Sequence, residues 1–266
     1  AQSAEEGYTA YLCGELNKTG FWQYYVVAFL VKMPEPLMIL LVMALALRLK
    51  VSSRELPMLV FSWTAILFFS FMSHKNIGIR YLLFIFPLAA VWIGRMFASD
   101  WKAVPRAVAI RKWAVRGGVV WMAAIHVFIW PDYLAYFNVI SGGPSRGHRY
   151  LLDSNLDWGQ DLTTLKRYMD VKGMEGVNLA YFGRVKPEIY GLTYANLFFE
   201  NTAKQKKPAF NRKYGYTAIS ANLLWGRMYF VNGTPFWPGD PDYFAEYRAK
   251  KPVAVLGNTI YIFKEE

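Results

Sequence analysis

The chain is poor in charge and nearly devoid of cysteine. Charged residues make up 18% of its 266 residues, against the roughly 25% usual for soluble domains. Hydrophobic residues reach 55% and aromatics 18%. A soluble domain would reach such totals only with an unusually apolar surface. Cys13 is the single cysteine, which excludes an intrachain disulfide and leaves the compartment open, since a lone thiol can be inert. Nucleophile elbow, phosphate loop, dinucleotide fingerprint and zinc-ligand spacing are all missing, as are internal repeats and low-complexity segments. Residues 1–19 hold no basic stretch followed by an apolar core, so they do not read as an intact secretory signal. The expectation is a processed start or the downstream part of a longer protein. Acidic residues are the minority, 19 against 30 Lys and Arg. No basic helix or nucleic-acid module accompanies that excess, so no nucleic-acid partner is expected.

The apolar residues crowd into the first half of the chain. Residues 21–30 are aromatic and apolar, with Trp22, Tyr24 and Tyr25 suited to a membrane–water boundary. Lys32-Met33-Pro34-Glu35-Pro36 interrupts the run and predicts a bend before a helix. Four candidate spans follow, at residues 35–49, 56–72, 77–97 and 117–136. The first is short against the ~20 residues of a bilayer crossing. Arg48, Lys50 and Arg54 follow the first span, and Arg95 to Arg116 crowd the connection before the fourth. Basic connections belong in the cytoplasm, so both termini are expected on the outer side. The expected fold class is an α-helical membrane region of about four transmembrane helices plus a C-terminal mixed α/β extramembrane domain. The expected domains are an outer-face loop and interfacial segment (1–34), a transmembrane region (35–137) and a soluble α/β domain (138–266).

In that last part Asp157 is an expected N-cap for a helix over 158–171, stopped by Gly173. Strands are expected at 177–182 and 216–224, a short helix at 241–250 capped by Asp240, and a hairpin joining 253–255 to 260–263.

Asp153, Asn155, Asp157 and Asp161 place oxygen ligands at alternate positions. A calcium loop begins this way, but here Gly159 falls at the seventh place instead of the sixth, and the twelfth place is Thr164 instead of glutamate. The expectation is a loop held by Asx turns and a helix cap, with a divalent cation at Asp153, Asn155 and Asp157 as the alternative. His74, Lys75 and Arg80 lie near the expected outer ends of two spans. Such cations either hold a phosphate or snorkel to headgroups. His126 reads as a packed or hydrogen-bonded interior histidine rather than a ligand. His148, with Arg146 and Arg149 in a glycine-rich loop, either faces an anionic lipid or sugar phosphate or is simply solvated.

Three segments carry a family resemblance. They are Gly7 to Glu15 with Gly20 to Tyr25 and Phe29 to Pro34; Lys75 to Pro87, where Arg80-Tyr81-Leu82-Leu83 leads to the proline; and Tyr133 to Asn138 with Gly142-Gly143-Pro144 and His148 to Asp161. They resemble bacterial polyprenyl-phosphate-dependent membrane glycosyltransferases, the protein O-mannosyltransferase-like branch of the GT-C superfamily. The resemblance implies sugar transfer from a lipid-linked phosphate donor to an acceptor on the outer face of the bacterial inner membrane. It implies membrane lipid and a polyprenyl-phosphate-linked sugar as partners; other membrane subunits are the partners expected if the chain instead serves a larger assembly. It places the catalytic carboxylates in an earlier outer loop that this sequence does not contain, so the chain resembles a C-terminal portion. Lys75 and Arg80, with His74 beside them, are then the donor-phosphate candidates. A different class of function is a non-catalytic accessory subunit of a larger membrane complex.

Overall fold

The computed structural model describes residues 9–46, 53–72, 76–98, 105–197, 210, 212–228, 230–231, 234–235 and 242–265. It opens with a hairpin, β1 (Ala10–Leu12) and β2 (Glu15–Asn17). Its two-residue loop, Cys13-Gly14, has both residues at positive φ, the backbone that matches the strands' twist. Next come α1 (Tyr24–Lys32), α2 (Glu35–Ala46), α3 (Leu56–Phe71), a 3-10 turn at Ile79–Leu82, α4 (Ile85–Ala98) and α5 (Pro105–Ile129). Proline starts α5 at a position where its missing N–H costs nothing. Short 3-10 turns then lead to α6 (Leu162–Lys172), β3 (Val177–Ala180), β4 (Tyr194–Asn196), β5 (Tyr216–Ser220), α7 (Ala221–Leu224), β6 (Phe230–Val231), β7 (Thr234–Pro235), α8 (Ala245–Ala249), β8 (Ala254–Leu256) and β9 (Ile260–Lys264).

The helices sit where hydropathy placed apolar runs, but the expected region of four membrane-crossing helices does not form. Among the described residues only Val108–Ile129 is long and apolar enough to cross a bilayer, or two segments if the α1–α2 pair counts as one broken span. At ~1.5 Å per residue, the 12 described residues of α2, 16 of α3 and 14 of α4 fall short of a ~30 Å hydrocarbon layer. The shortfall has identifiable causes. Pro34 lies at the break where α1 and α2 bend by 109°. Residues 77–97 divide into a 3-10 turn and α4, and Leu82 and Ile85 are spent in a core shared with the C-terminal part. His126 is exposed rather than interior, with Nδ1 2.7 Å from the Met122 carbonyl.

That shared core joins α1, the Ile79–Leu82 turn, the loops from Ala135 to Leu156 and one face of a sheet. The sheet runs β4-β3-β5-β9-β8. β3 lies parallel to β4 and β5, while β9 is antiparallel to β5 and β8. Alternation along β9 divides its side chains. Tyr261 and Phe263 enter the shared core, and Ile260 and Ile262 pack under α6 with Leu162, Leu165 and Met169. A third cluster binds α2, α4 and α5 through Leu40, Ala44, Trp92, Ile93 and Val115.

Several expected boundaries shift. α6 starts at Leu162, four residues later than expected, with Asp161 as its N-cap. Asp157 instead closes an Asx turn onto Gly159 N–H at 2.9 Å. The strand expected over 216–224 ends at Ser220, where α7 takes over. α8 is shorter than the helix expected over 241–250, and its expected cap Asp240 lies outside the described residues.

The α1–α2 elbow is strapped to the body by polar groups. Buried Asn138 donates to the Leu30 carbonyl at 2.6 Å and the Met33 carbonyl at 3.1 Å. These belong to the helix end whose carbonyls lack intrahelical partners. Glu35 accepts from Val139 N–H and from the Tyr136 hydroxyl. Asn138→Ala leaves those carbonyls unsatisfied and is expected to destabilise the protein by about 2 kcal/mol or more. Thermal unfolding of the purified variant measures this. A loss below ~0.5 kcal/mol would show that the strap does not hold the elbow.

Candidate functional site

The loop between α3 and α4 meets the Asp153–Asn155 turn, and the contact is made by hydrogen bonds. Asn155 Oδ1 accepts from Ile79 N–H at 2.9 Å, and its amide donates to the Tyr24 hydroxyl at 2.8 Å and the Leu152 carbonyl at 3.0 Å. Ser154 Oγ donates to the Ile77 carbonyl at 2.5 Å. The approach is so close that a Cβ on Gly78 would collide with Ser154 Oγ. Asn222, which begins the second turn of contacts, accepts from Asp153 N–H and donates to the Asp157 carbonyl, both at 2.7 Å.

This junction presents Arg80. Its side chain is exposed, and its guanidinium lies 5.3 Å from the Tyr81 ring centre and 5.6 Å from that of Trp158. Trp158 is 50% exposed and meets Phe182 edge-on. Burial raises the Asp153 carboxyl to about 6, an effect tempered by Ser154 N–H and by the charge of Arg80. Guanidinium and indole face therefore share one surface at the joint between helices and body, with the buried Asp153 carboxyl close to the guanidinium. Guanidinium suits a phosphate by bidentate donation, and an exposed indole face suits the apolar face of a sugar ring.

Behind that surface Asp157 and Asp161 are buried within the fold. Asp161 accepts from Thr259 Oγ1 at 2.6 Å and from Thr164 Oγ1 at 3.3 Å. Asp157 is almost wholly buried. The Ser220 hydroxyl is close enough to temper its acidity, yet Ser220 Oγ accepts from Phe182 N–H, and Asp157 Oδ2 makes no hydrogen bond of normal geometry among the described residues. Burial, with the Asp161 charge adding to it, raises Asp157 to about 7. Gly159 is obligatory beside it. At φ +81 a side chain there would be strained and would strike the Tyr181 hydroxyl and the Phe182 carbonyl.

Among the described residues no three His, Cys, Asp or Glu side chains converge as a metal site. The cation alternative fails because Asn155 spends its amide on Tyr24, Ile79 and Leu152. His148 packs into the fold. Its ring stacks on Trp225 at 4.6 Å and lies 3.3 Å from the Tyr261 hydroxyl. Burial first, and the Arg149 charge second, lower it to about 4. Arg149 itself is exposed. His74 and Lys75 lie outside the described residues.

No protein-family model, curated protein or solved structure matches this chain.

Sequence reasoning named Arg80 and the aspartates but missed Trp158. Its signal was available, since a tryptophan amid Asp157, Gly159, Gln160 and Asp161 has no apolar run to join. Tyr24 and Asn222 carried no comparable sign, because only the folded chain brings them to Asn155 and Asp153.

Asp157 makes stability depend on pH in an unusual direction. The folded carboxyl titrates near 7, and an unfolded one near ~4. The folded state therefore takes up a proton between those values, so stability grows on acidification and is lost as pH rises through about 7. Asp157→Asn keeps the Gly159 acceptor without charge. It is expected to melt higher than the parent at about pH 8, with the gap closing at about pH 5. Equal gaps at both pH values would contradict the assignment.

Proposed function

We propose that this chain is the C-terminal portion of a membrane glycosyltransferase that takes its sugar from a polyprenyl-phosphate donor at the outer face of a bacterial inner membrane. Arg80 holds the donor phosphate, and Trp158 carries the sugar ring beside Asp153. The observation that supports this most is the exposed Arg80 guanidinium over the Trp158 indole. Among the described residues it is engaged by no salt bridge.

The surroundings favour a lipid-linked ligand over a free sugar phosphate. Leu83 and Phe84, one turn from Arg80, are exposed, and Phe84 meets Phe61 of α3. A prenyl chain leaving the phosphate would find apolar helix faces within reach, and the buried area would add affinity. The segment resemblance through Arg80-Tyr81-Leu82-Leu83 and through His148 to Asp161 points to the same chemistry. Those two segments meet through Ile79 and Asn155. No catalytic base is assigned among the described residues, since Asp153, Asp157 and Asp161 are all buried.

The test is binding of a polyprenyl-phosphate sugar to the purified chain in detergent. A charged hydrogen-bond pair is worth ~1.5–3 kcal/mol, so Arg80→Ala is expected to weaken binding by about 10- to 100-fold, and Arg80→Lys by less. Trp158→Ala should discriminate by losing affinity for the sugar-bearing donor more than for bare polyprenyl phosphate. Unchanged affinity in Arg80→Ala would sink the assignment. A chain that bound no donor but co-purified with membrane subunits would point instead to an accessory role.

A further inference from the structure

The outward faces of α3 and α5 are apolar to an extent a water-facing surface does not sustain. On α5 the exposed residues include Val120, Val127 and Phe128, the last 89% exposed. Two exposed tryptophans bracket this stretch, Trp113 at 68% and Trp130 at 70%. They are 17 positions apart, which is about 26 Å along a helix and close to the thickness of a bilayer's hydrocarbon. Tryptophan favours the two boundaries of that layer.

The two ends of α5 differ in charge. Lys112 and Arg116 are exposed at the first end, and the Arg116 guanidinium lies 5.3 Å from the Trp113 ring centre. Helical side chains lean toward the N-terminus, so Arg116 is carried back to the Trp113 level. The other helices bring their basic ends to the same side. The start of α2 is tied to the body through Glu35, and the start of α4 through Ile85 in the shared core, so both helices end away from the body, and α5 begins seven positions after α4 ends. The end of α2 and the start of α3, where Arg54 is exposed, lie at the first end of α5. Residues 48–55 and 95–116 together hold nine Lys and Arg against two acidic residues. The opposite end of the layer joins the α/β body, where Trp22 stacks on Phe71 and Ile85 enters the shared core.

We propose that this basic end docks on an anionic phospholipid leaflet, with Arg54, Lys112 and Arg116 contacting headgroup phosphates at the level of Trp113 while the apolar faces of α3 and α5 meet acyl chains. Bilayer is favoured over a partner protein because the apolar residues lie on outward faces of several helices rather than in a groove. The charges at that end are also predominantly basic, nine against two, which matches a leaflet's surface potential. The inference does not depend on Arg80 binding a donor.

The full chain is reconstituted into vesicles of phosphatidylcholine and phosphatidylglycerol in equal amounts, with bromine on the acyl chains of one lipid or the other. Tryptophan quenching reads which lipid lies against the protein. Brominated phosphatidylglycerol is expected to quench more than brominated phosphatidylcholine, with each cation favouring the anionic lipid by up to about fivefold at low salt. Added salt should erode the excess. The excess should vanish in Trp113→Phe but persist in Trp130→Phe. The combined variant Arg54→Gln, Lys112→Gln, Arg116→Gln should lose the excess while keeping the quenching common to both lipids, which also reports that it still inserts. Equal quenching by the two lipids in the parent, or an excess untouched in the combined variant, overturns the headgroup contact. No quenching by either lipid would mean that protein covers these faces and overturns the bilayer as the occupant.

Discussion

The elbow between α1 and α2 is held to the body by polar atoms, and the relation of the helices to the sheet depends on that attachment. Lys32 is its centre. Its ammonium donates to the carbonyls of Leu134, Tyr136 and Asn155 at 2.8, 2.6 and 2.5 Å, and lies 4.2 Å from the centre of the Phe137 ring. Three acceptors consume all three protons, so the charge is balanced by dipoles and an aromatic face rather than by a carboxylate. Asn138 and Glu35 complete the attachment from neighbouring positions. Apolar packing alone would let α1 slide along its groove, whereas hydrogen bonds to named carbonyls fix its register.

The same reasoning extends one layer outward. Lys32 reaches the Asn155 carbonyl while the Asn155 side chain reaches Tyr24 of α1 and the backbone of Ile79. One residue thus couples the first helix, the α3–α4 loop and the turn that carries Asp153. Arg80 stands one position beyond Ile79, and Trp158 stands three beyond Asn155. Their proximity follows from that coupling. A ligand bridging them would rest on parts of the chain more than seventy residues apart in sequence, held together without a metal or disulfide among the described residues.

Hydropathy made the helices legible but not their lengths. It registers whether residues are apolar, and Leu82 and Ile85 are apolar for the sake of the body's core rather than for lipid. Pro34 gave notice of a bend, yet nothing local told that α1 and α2 would meet at 109° instead of forming one straight span. The strands at Val177–Ala180 and Ile260–Lys264 were readable because β-branched and aromatic residues cluster there between turn signals. The aspartate series was read as Asx turns and a helix cap, and Asp157 does close an Asx turn onto Gly159 while Asp161 stands at the N-cap of α6. Alternate oxygens suggest a shared ligand, but Asp157 and Asp161 turn to separate partners, Gly159 and Thr259. Long-range hydrogen bonds decide such cases, and they leave no trace in a local pattern.

The β1–β2 hairpin has a practical consequence. Its tip carries the only thiol of the chain, and that thiol is exposed. The hairpin is fastened to the body, since Cys13 N–H donates to the Tyr150 carbonyl and the Tyr11 hydroxyl to the His148 carbonyl. A reagent unable to permeate lipid would therefore react at Cys13 only when the body faces it. Intact cells or sealed vesicles of either orientation could then be sorted by one covalent mark, with no engineered cysteine and no competing site.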